Sequence, residues 1–484
     1  MKVLDAAFLE SAASEVASDP KTVLAMNCCS RSGPTEVLTN REVAAKLQVL
    51  GGCGAQPTFS VKIPKEGKCT SQKSSGRCWL FALLNVCRLG VIKKYNLDSD
   101  FELSQAHLHF WDKIERANYF LENVLDTLAE PLEGRLMQYL LKNPMEDGGQ
   151  WDMAISLVLK HGIVPKSAYP ESATSQASRY MNRFVNNKLR QFASELRAAA
   201  ENGASADKLR EDAKPSMMKE IYRIVCVHLG TPPSTFDWSF YGNGEDGGED
   251  DDDVPCKEDD KKKQIKKKKK KKKHFAFRSL TPQSFLRDHV DVDLKSHVSL
   301  INDPRNEYYK LYTVSRLGNV VGTANPVRYI NLPISELRSA AQKRLDAGEP
   351  VWFGCDVGKQ LHRSLGVMSL ELLDYDLVFG TNPNGMDKAT RLRYGESLMT
   401  HAMVLTGYDA ADDASTISKW RVENSWGEKG DQKGYLTMTD SWFEEYMYQI
   451  AVPMEGLPEK VLGVLQQEDK VVVLPPWDPM GALA

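Results

Sequence analysis

The chain of 484 residues has no apolar run long enough to cross a bilayer, which takes about 20 consecutive apolar residues. The segment from Met1 to Pro20 contains acidic residues and no long apolar core, so we expect no secretory signal peptide. Nine cysteines, an odd count, lack the spacing of a zinc site or of a disulfide framework. The net charge of −3 and the hydrophobic fraction of 42% are those of an ordinary globular protein. These absences predict a cytoplasmic protein in a reducing compartment, with no metal, no cofactor and no membrane partner.

Cys78 is the most informative residue that the sequence does contain. It follows a glycine-bearing turn, Gln72-Lys73-Ser74-Ser75-Gly76-Arg77, and an apolar helical run begins directly after it. A helix N-terminus favours negative charge and the thiolate is the reactive form of cysteine, so this position suits a nucleophile. The side chain of Gln72 can supply an N–H donor to an oxyanion. The alternative to a nucleophile is a small buried hydrophobic residue or an unreactive surface thiol. We adopt this interpretation for Cys28, Cys29, Cys53, Cys87, Cys226, Cys256 and Cys355.

A histidine and an amide that suit such a nucleophile occur near the end of the chain. His401 opens an apolar run that predicts a buried strand. In the strand predicted over 418–424, Asn424 shares the inward face of Trp420 and Val422, because side chains alternate along a strand. An unpaired buried amide costs about 1–3 kcal/mol, so Asn424 needs a partner such as the N–H of a histidine ring. Without Cys78, a structural histidine and a strand-end cap would be the simpler interpretations; with it, the three residues predict a nucleophile, a base and an orienting group.

These motifs, in this order, resemble those of the papain family of cysteine peptidases. The matching residues are Gln72, Cys78-Trp79, His401-Ala402 and Asn424-Ser425-Trp426-Gly427. The similarity is greater to one cytosolic branch, the bleomycin hydrolases, and it covers nearly the whole chain apart from the extreme N-terminus and one charged segment. Its further segments are Lys73 to Trp79, Asp147 to Met153, Val351 to Gly358, Gly395 to Met403 and Trp477 to Ala484. Where secreted papains carry a disulfide-bonded cysteine this chain has Ser75, which agrees with a reduced protein.

The resemblance implies an α+β, papain-like fold of two lobes, one helical and one β-barrel-like, with a large helical insertion. Apolar spacing over 134–142, 151–161, 175–201 and 216–229 predicts helices, and short apolar runs at 350–356, 401–408, 418–424 and 434–439 predict strands. We divide the chain into an N-terminal arm (1–60), a helical catalytic lobe (61–133), a helical insertion (134–241), a disordered charged insertion (242–274), a connecting region (275–349), a β-rich catalytic lobe (350–460) and a C-terminal arm that enters the active-site cleft (461–484).

The charged insertion consists of an acidic run followed by a block of lysines that ends at Lys273. Such a segment cannot bury enough apolar surface to fold, so we interpret it as a solvated, disordered loop. The alternative interpretation is a nuclear signal or a nucleic-acid-binding patch. Strong salt dependence of DNA binding that disappears when 261–273 are deleted would favour that alternative.

The resemblance also implies a role for each matching residue. Cys78 is the nucleophile, His401 the base and Asn424 the residue that orients the imidazole. Gln72 forms the oxyanion hole together with the backbone N–H of Cys78, and Trp426 shields the histidine–amide hydrogen bond from water. The pair Gly148-Gly149 binds the backbone of the substrate.

The C-terminal tail decides which kind of peptidase the resemblance implies. In bleomycin hydrolases the tail fills the non-primed part of the cleft, where Ala484 would present its carboxylate to the α-amino group of a substrate. The implied activity is aminopeptidase hydrolysis of peptides and amides, with bleomycin and homocysteine thiolactone as further implied substrates and a homohexamer as the implied assembly. A cysteine-dependent acyltransferase remains an alternative, which a competing amine acceptor in a product assay would reveal.

Overall fold

The computed structural model describes residues 4–47, 57–242, 273–410, 416–430, 432–467 and 470–484. The helices of these residues, in chain order, are α1 (Ala6–Ser18), α2 (Pro20–Ser32), α3 (Pro34–Leu38), α4 (Arg41–Lys46), α5 (Cys78–Tyr95), α6 (Gln105–Asp126), α7 (Arg135–Lys142), α8 (Trp151–His161), α9 (Ala173–Gln176), α10 (Arg179–Glu201), α11 (Ala206–Asp212), α12 (Lys214–Leu229), α13 (Pro282–His289), α14 (Ile334–Asp346), α15 (Tyr375–Phe379), α16 (Lys388–Tyr394), α17 (Asp440–Tyr446) and α18 (Glu459–Leu465). None of the helices in the described part is long and apolar enough to span a membrane.

The strands are β1 (Val61–Lys62), β2 (Phe236–Gly242), β3 (Lys273–Leu280), β4 (His297–Ile301), β5 (Lys310–Val314), β6 (Tyr329–Asn331), β7 (Val351–Cys355), β8 (Leu361–His362), β9 (Val367–Met368), β10 (His401–Ala410), β11 (Ile417–Glu423), β12 (Tyr435–Thr439), β13 (Met447–Pro453) and β14 (Val472–Leu474). All except β2 and β3 join one mixed sheet in the order β14-β5-β6-β4-β13-β7-β10-β11-β12-β9-β8, with β1 added at β10. The sheet of the β-rich lobe therefore includes strands of the connecting region and of the C-terminal arm in addition to those of 350–460.

Helix α5 lies at the centre of the molecule because it is apolar on nearly every side. Its residues are buried from Cys78 to Arg88, and it packs against α6 and α8 on one side and against β7 and β10 on the other. One continuous core joins α5 and α8 to the inner face of the sheet. This packing brings the start of α5 close to β10, which begins at His401, and to the end of β11, which Asn424 follows.

The predicted helical insertion is present as a helical layer built on α6. Helix α10 buries an apolar stripe at intervals of three and four residues, which faces α6 and α12. Its buried residues are Met181, Val185, Leu189, Phe192, Ala193 and Leu196. The helices expected over 134–142, 151–161 and 216–229 agree with α7, α8 and α12 within two residues at each end.

The sequence prediction missed the hairpin formed by β2 and β3. Its strands alternate aromatic and polar residues, and the rings of Trp238 and Phe240 pack around Tyr95 at the end of α5. Gly242, Lys273 and His274, which we assigned to the disordered insertion, belong to these strands. The rest of that insertion, 243–272, lies outside the described residues.

Candidate active site

Cys78 is the first residue of α5, and the preceding Arg77 gives the helix no side-chain cap. The amides of Cys78 and Trp79 therefore have no acceptor within the helix. Burial raises the pKa of the Cys78 thiol to about 11, and the amides of Ala402, Trp79 and Cys78 itself oppose this effect because they stabilise the thiolate. The contact with Ala402 brings the sulfur next to the residue that follows His401.

His401 and Asn424 come from adjacent antiparallel strands of the sheet. His401 opens β10, and Asn424 directly follows the last residue of β11, one position beyond the strand. The two side chains are buried, and Nε2 of His401 lies 2.9 Å from Oδ1 of Asn424. Because an amide oxygen can only accept, Nε2 carries the hydrogen and Nδ1 is left as the basic nitrogen. The ring of Trp426 lies 5.1 Å from the imidazole and covers it.

Burial lowers the pKa of His401 to about 4, although the hydrogen bond to Asn424 opposes the change. A lone charge on either His401 or Cys78 is thus disfavoured in this buried site. Two opposite charges stabilise each other, so a thiolate beside an imidazolium is less unfavourable than either ion alone.

Gln72 is held at both ends of its side-chain amide. Its Oε1 accepts from the Ser425 hydroxyl at 2.6 Å, and its Nε2 donates to the carbonyl of Ser75 at 2.5 Å. Its backbone N–H donates to the Ser425 carbonyl at 2.8 Å, which ties the turn before α5 to the segment after β11. A primary amide carries two N–H groups, so one donor of Gln72 remains for a ligand.

Gly149 pairs with the last residue of the chain, as a substrate strand would. The N–H of Gly149 donates to the Ala484 carbonyl oxygen and the N–H of Ala484 donates to the Gly149 carbonyl oxygen, each at 3.2 Å. Gln150 adds a side-chain hydrogen bond to the Ala482 carbonyl oxygen. Ala484 is buried.

Asp147 anchors the loop that holds the tail, and sequence reasoning did not single it out. Its carbonyl oxygen accepts from Nε1 of Trp79 at 2.6 Å. Its carboxylate accepts from the backbone N–H of Gly76, Nε2 of His109, Nζ of Lys113, Nδ2 of Asn182 and the hydroxyl of Ser178. Burial alone would raise the pKa of Asp147, but Lys113 and His109 hold it well below its usual range. The position of Asp147 directly before the glycine pair is the signal that could have found it.

A buried ion pair fixes helix α5 against the strand that precedes Asn424. Arg88 of α5 donates to the carboxylate of Glu423, and both side chains are almost fully inaccessible. Burial raises the pKa of Glu423 to about 7, and the charge of Arg88 opposes that effect. Since Glu423 immediately precedes Asn424, this pair helps to determine where the Asn424 amide lies relative to Cys78.

The structure brings together the residues that we expected to form the site: Gln72, Cys78, Gly148, Gly149, His401, Asn424, Trp426 and Ala484. A cleft of about 1260 Å³ is lined by Asn424, Trp426 and Arg363. Within the described part of the chain, no group of three His, Cys, Asp or Glu residues could hold a metal ion. The arrangement suits acyl transfer through a thiol, since a sulfur, a base with an orienting amide and free N–H donors converge.

Comparison with known proteins assigns the chain to a family. The model of the peptidase C1-like family matches residues 3–481, so the chain belongs to that family. Bleomycin hydrolase of Homo sapiens is 43% identical over 475 residues, which cover 96% of this chain and 96% of that protein. Aminopeptidase C of Streptococcus thermophilus is 41% identical over 428 residues, which cover 88% of each.

The similarity extends to three dimensions. The crystal structure of PepW from Lactobacillus rhamnosis matches with a TM-score of 0.87 at 40% identity, over 100% of this chain and 99% of that one. These matches confirm the predicted papain-like α+β fold and the predicted enzyme class, a cysteine-type aminopeptidase.

Proposed function

We propose that the chain hydrolyses peptide and amide bonds at free N-termini, with Cys78 as nucleophile, His401 as general base and acid, and Asn424 as the residue that orients the imidazole. The observation that carries the proposal is the hydrogen-bonded pair of Ala484 and Gly149 in the cleft at the start of α5. A substrate that must bind around this tail can extend only away from it. The tail therefore restricts cleavage to the bond that follows the first residue of a peptide.

The chemistry follows from the positions of the groups. His401 takes the proton of Cys78, and the thiolate attacks the carbonyl carbon. The N–H of Cys78 and the remaining N–H of Gln72 stabilise the oxyanion, an effect typically worth about 3–4 kcal/mol of the barrier. The carbon–nitrogen bond breaks, and His401 gives its proton to the leaving amine. Water then attacks the thioester and passes a proton to His401. The carbon–sulfur bond breaks, the acid leaves, and His401 returns the proton to the sulfur of Cys78.

The tail supplies the specificity for free N-termini. In a chain that ends at Ala484, the terminal carboxylate lies beside the glycine pair, at the point where the next residue of a bound strand would begin. A buried carboxylate without a cation is unfavourable, and the α-ammonium group of a substrate provides that cation. An N-acetylated substrate offers no charge and adds atoms where the tail already lies.

Paired substrates and a shortened tail test this proposal. The wild-type chain should cleave a peptide with a free N-terminus and leave the N-acetylated form of the same peptide nearly intact. Deletion of 481–484 should raise the turnover of the acetylated peptide and allow cleavage at internal bonds. Equal cleavage of both peptides by the wild type, or an unchanged cleavage pattern after the deletion, would refute the role of the tail.

The same site suits homocysteine thiolactone and bleomycin as substrates. A thiolactone is a cyclic thioester with a free α-amino group, so Cys78 can attack its carbonyl while Ala484 binds the ammonium. We propose bleomycin because relatives at 43% identity are called bleomycin hydrolases, and the thiolactone because it has an activated carbonyl next to a free α-amino group. If the wild type hydrolyses the thiolactone and Cys78→Ala does not, the assignment is supported. Equal rates in the wild type and in Cys78→Ala would contradict it.

We further propose a homohexamer in the cytosol. Helices α1 and α2 bury none of their residues in the single chain, and Phe8, Leu9, Leu24 and Met26 are more than half exposed. Apolar residues exposed on neighbouring helices are typical of a surface that another subunit covers. The seven cysteines described are free thiols, as expected in a reducing compartment. Light scattering should give six chains per particle, and Leu24→Glu should reduce that number; a monomer at all concentrations would contradict the assembly.

A further inference from the structure

Arg363 lies in the turn between β8 and β9 and lines the same cleft as Asn424 and Trp426. Its guanidinium carbon lies 5.0 Å from the centre of the Trp426 ring, and that ring lies 5.1 Å from the imidazole of His401. Arg363 is exposed to solvent. Burial is the main cause of the lowered pKa of His401, and the positive charge of Arg363 adds to it. Arg363 is therefore close enough to the reacting groups to act on a bound substrate.

The cleft at Trp426 has a surplus of positive charge. Two of its three carboxylates are already paired, Glu102 with Lys166 and Glu171 with Arg77. This leaves Lys73, Arg363 and Lys429 against Glu428, and among the described residues none of these four forms an ion pair. A concave wall with an excess of cations attracts anionic groups.

The leaving group of the proposed reaction must enter this cleft. In the proposed mode of substrate binding, the tail paired with Gly149 occupies the acyl side of the scissile bond. His401 gives its proton to the leaving amine, and Trp426 covers the imidazole on the side of the cleft. The residue released from the substrate therefore passes against Trp426 and Arg363.

We propose that Arg363 is a specificity-determining residue that binds a carboxylate on the leaving-group side of the scissile bond. This inference rests on the proposed aminopeptidase function and names a preferred class of substrate. Two sources present such a carboxylate: an acidic side chain on the second residue of a peptide, and the free α-carboxylate of a dipeptide. A guanidinium held over an aromatic ring keeps its N–H edge available for a carboxylate, which can accept two parallel hydrogen bonds.

Three substrates that share a free N-terminal leucine test the inference. They are leucyl-alanine amide, leucyl-glutamate α-amide and leucyl-alanine with a free carboxylate, and the quantity measured is kcat/KM for release of leucine. The wild type should prefer at least one carboxylate substrate over the neutral amide by about tenfold or more. In Arg363→Gln that preference should fall to within about twofold, Arg363→Lys should retain part of it, and added salt should weaken it in the wild type. The control Arg393→Gln removes another exposed arginine outside the cleft and should keep the wild-type preference.

The outcomes separate the two carboxylate sources and the two proposals. A preference for the glutamate amide assigns the site to an acidic side chain, and a preference for the free dipeptide assigns it to the α-carboxylate. No preference in the wild type, or the same preference in Arg363→Gln as in the wild type, overturns the role of Arg363. Failure of the wild type to cleave any of the three, the neutral amide included, overturns the proposed aminopeptidase function instead.

Discussion

Ala484 and Gly149 exchange two backbone hydrogen bonds of 3.2 Å, as two residues of antiparallel strands do. The adjacent Gly148 makes this possible because a Cβ atom there would lie 2.7 Å from the Ala484 oxygen and 2.9 Å from Cβ of Leu483. Gly149 has its own constraint, since a Cβ atom on it would overlap the ring of Trp79. The glycine pair therefore contacts the tail on one side and helix α5 on the other.

Gly148→Ala should displace the tail without removing it. The backbone of Gly148 does not have a positive φ, so alanine meets only the steric conflict with Leu483 and Ala484. The ratio of kcat/KM for an N-acetylated peptide to that for its free form should rise about tenfold or more, because the carboxylate no longer binds the ammonium. Gly463→Ala is the matched control, since nothing lies within 4 Å of its added Cβ. An unchanged ratio in Gly148→Ala would contradict the role of Gly148 in positioning the tail.

Cys78→Ser should fold and lose nearly all activity, because a hydroxyl in place of the thiol is a far weaker nucleophile in this site. We expect kcat to fall by at least about 10³-fold for peptide substrates. The half-buried Cys226 on α12 provides the control, and Cys226→Ser should keep the wild-type rate. Circular dichroism verifies the fold of both variants. Full activity in a folded Cys78→Ser chain would end the proposal for the nucleophile.

Asn424→Ala should lower kcat and leave KM nearly unchanged. The variant leaves Nε2 of His401 without an acceptor in a buried site and frees the imidazole to rotate. A loss of about 1–3 kcal/mol corresponds to a decrease of roughly 5- to 150-fold in kcat. Asn382→Ala removes an exposed asparagine on a distant turn and should have no effect. A KM that rises while kcat stays constant would assign Asn424 to substrate binding instead.

Local patterns were sufficient to predict the parts of the site that a single segment specifies. Cys78 was placed at a helix start because a turn and an apolar run flank it, and His401 was placed on a buried strand by the apolar run that it opens. Asn424 was expected inside a strand, and it lies one residue beyond β11, at the boundary where patterns are least reliable.

Contacts between distant segments could not be predicted from such patterns. The partners of Asp147 lie on α6, on α10 and in the turn before α5, and no local periodicity brings them together. The position of Ala484 was expected only through the resemblance. The hairpin of β2 and β3 did leave a signal, since Phe236, Trp238 and Phe240 alternate with polar residues, but the charged insertion beside it dominated the interpretation.

Asp147→Asn should destabilise the chain more than a typical polar substitution does. The change leaves the ammonium of Lys113 in a buried site without its closest anion. Breaking a buried pair on one side costs about 3–5 kcal/mol in free energy of unfolding. Chemical denaturation measures the loss. Asp207→Asn, which breaks an exposed pair with Arg210, should cost no more than about 1 kcal/mol. Equal losses in the two variants would show that Asp147 is not an anchor.

The carboxyl group of Asp152, at the start of α8, should make the chain less stable as the pH rises. Burial raises its pKa from 3.8 to about 7, although a hydrogen bond from Ser299 opposes the change. The folded chain therefore holds this proton where the unfolded chain has released it, so the associated stability is present below about pH 4 and is lost as the pH rises through 7. At about 1.4 kcal/mol per pKa unit, the loss is on the order of 4 kcal/mol.

Asp152→Asn removes the titration and keeps a neutral side chain of the same shape. Its free energy of unfolding should exceed that of the wild type at pH 8. The difference should shrink at pH 5, where Asp152 of the folded wild type is protonated in most molecules. Denaturation curves at the two pH values measure both differences. Asp291→Asn, at an exposed position, should follow the wild type at each pH. If Asp152→Asn is less stable than the wild type at pH 8, the ionised carboxylate is stabilising, and the direction inferred from its burial is wrong.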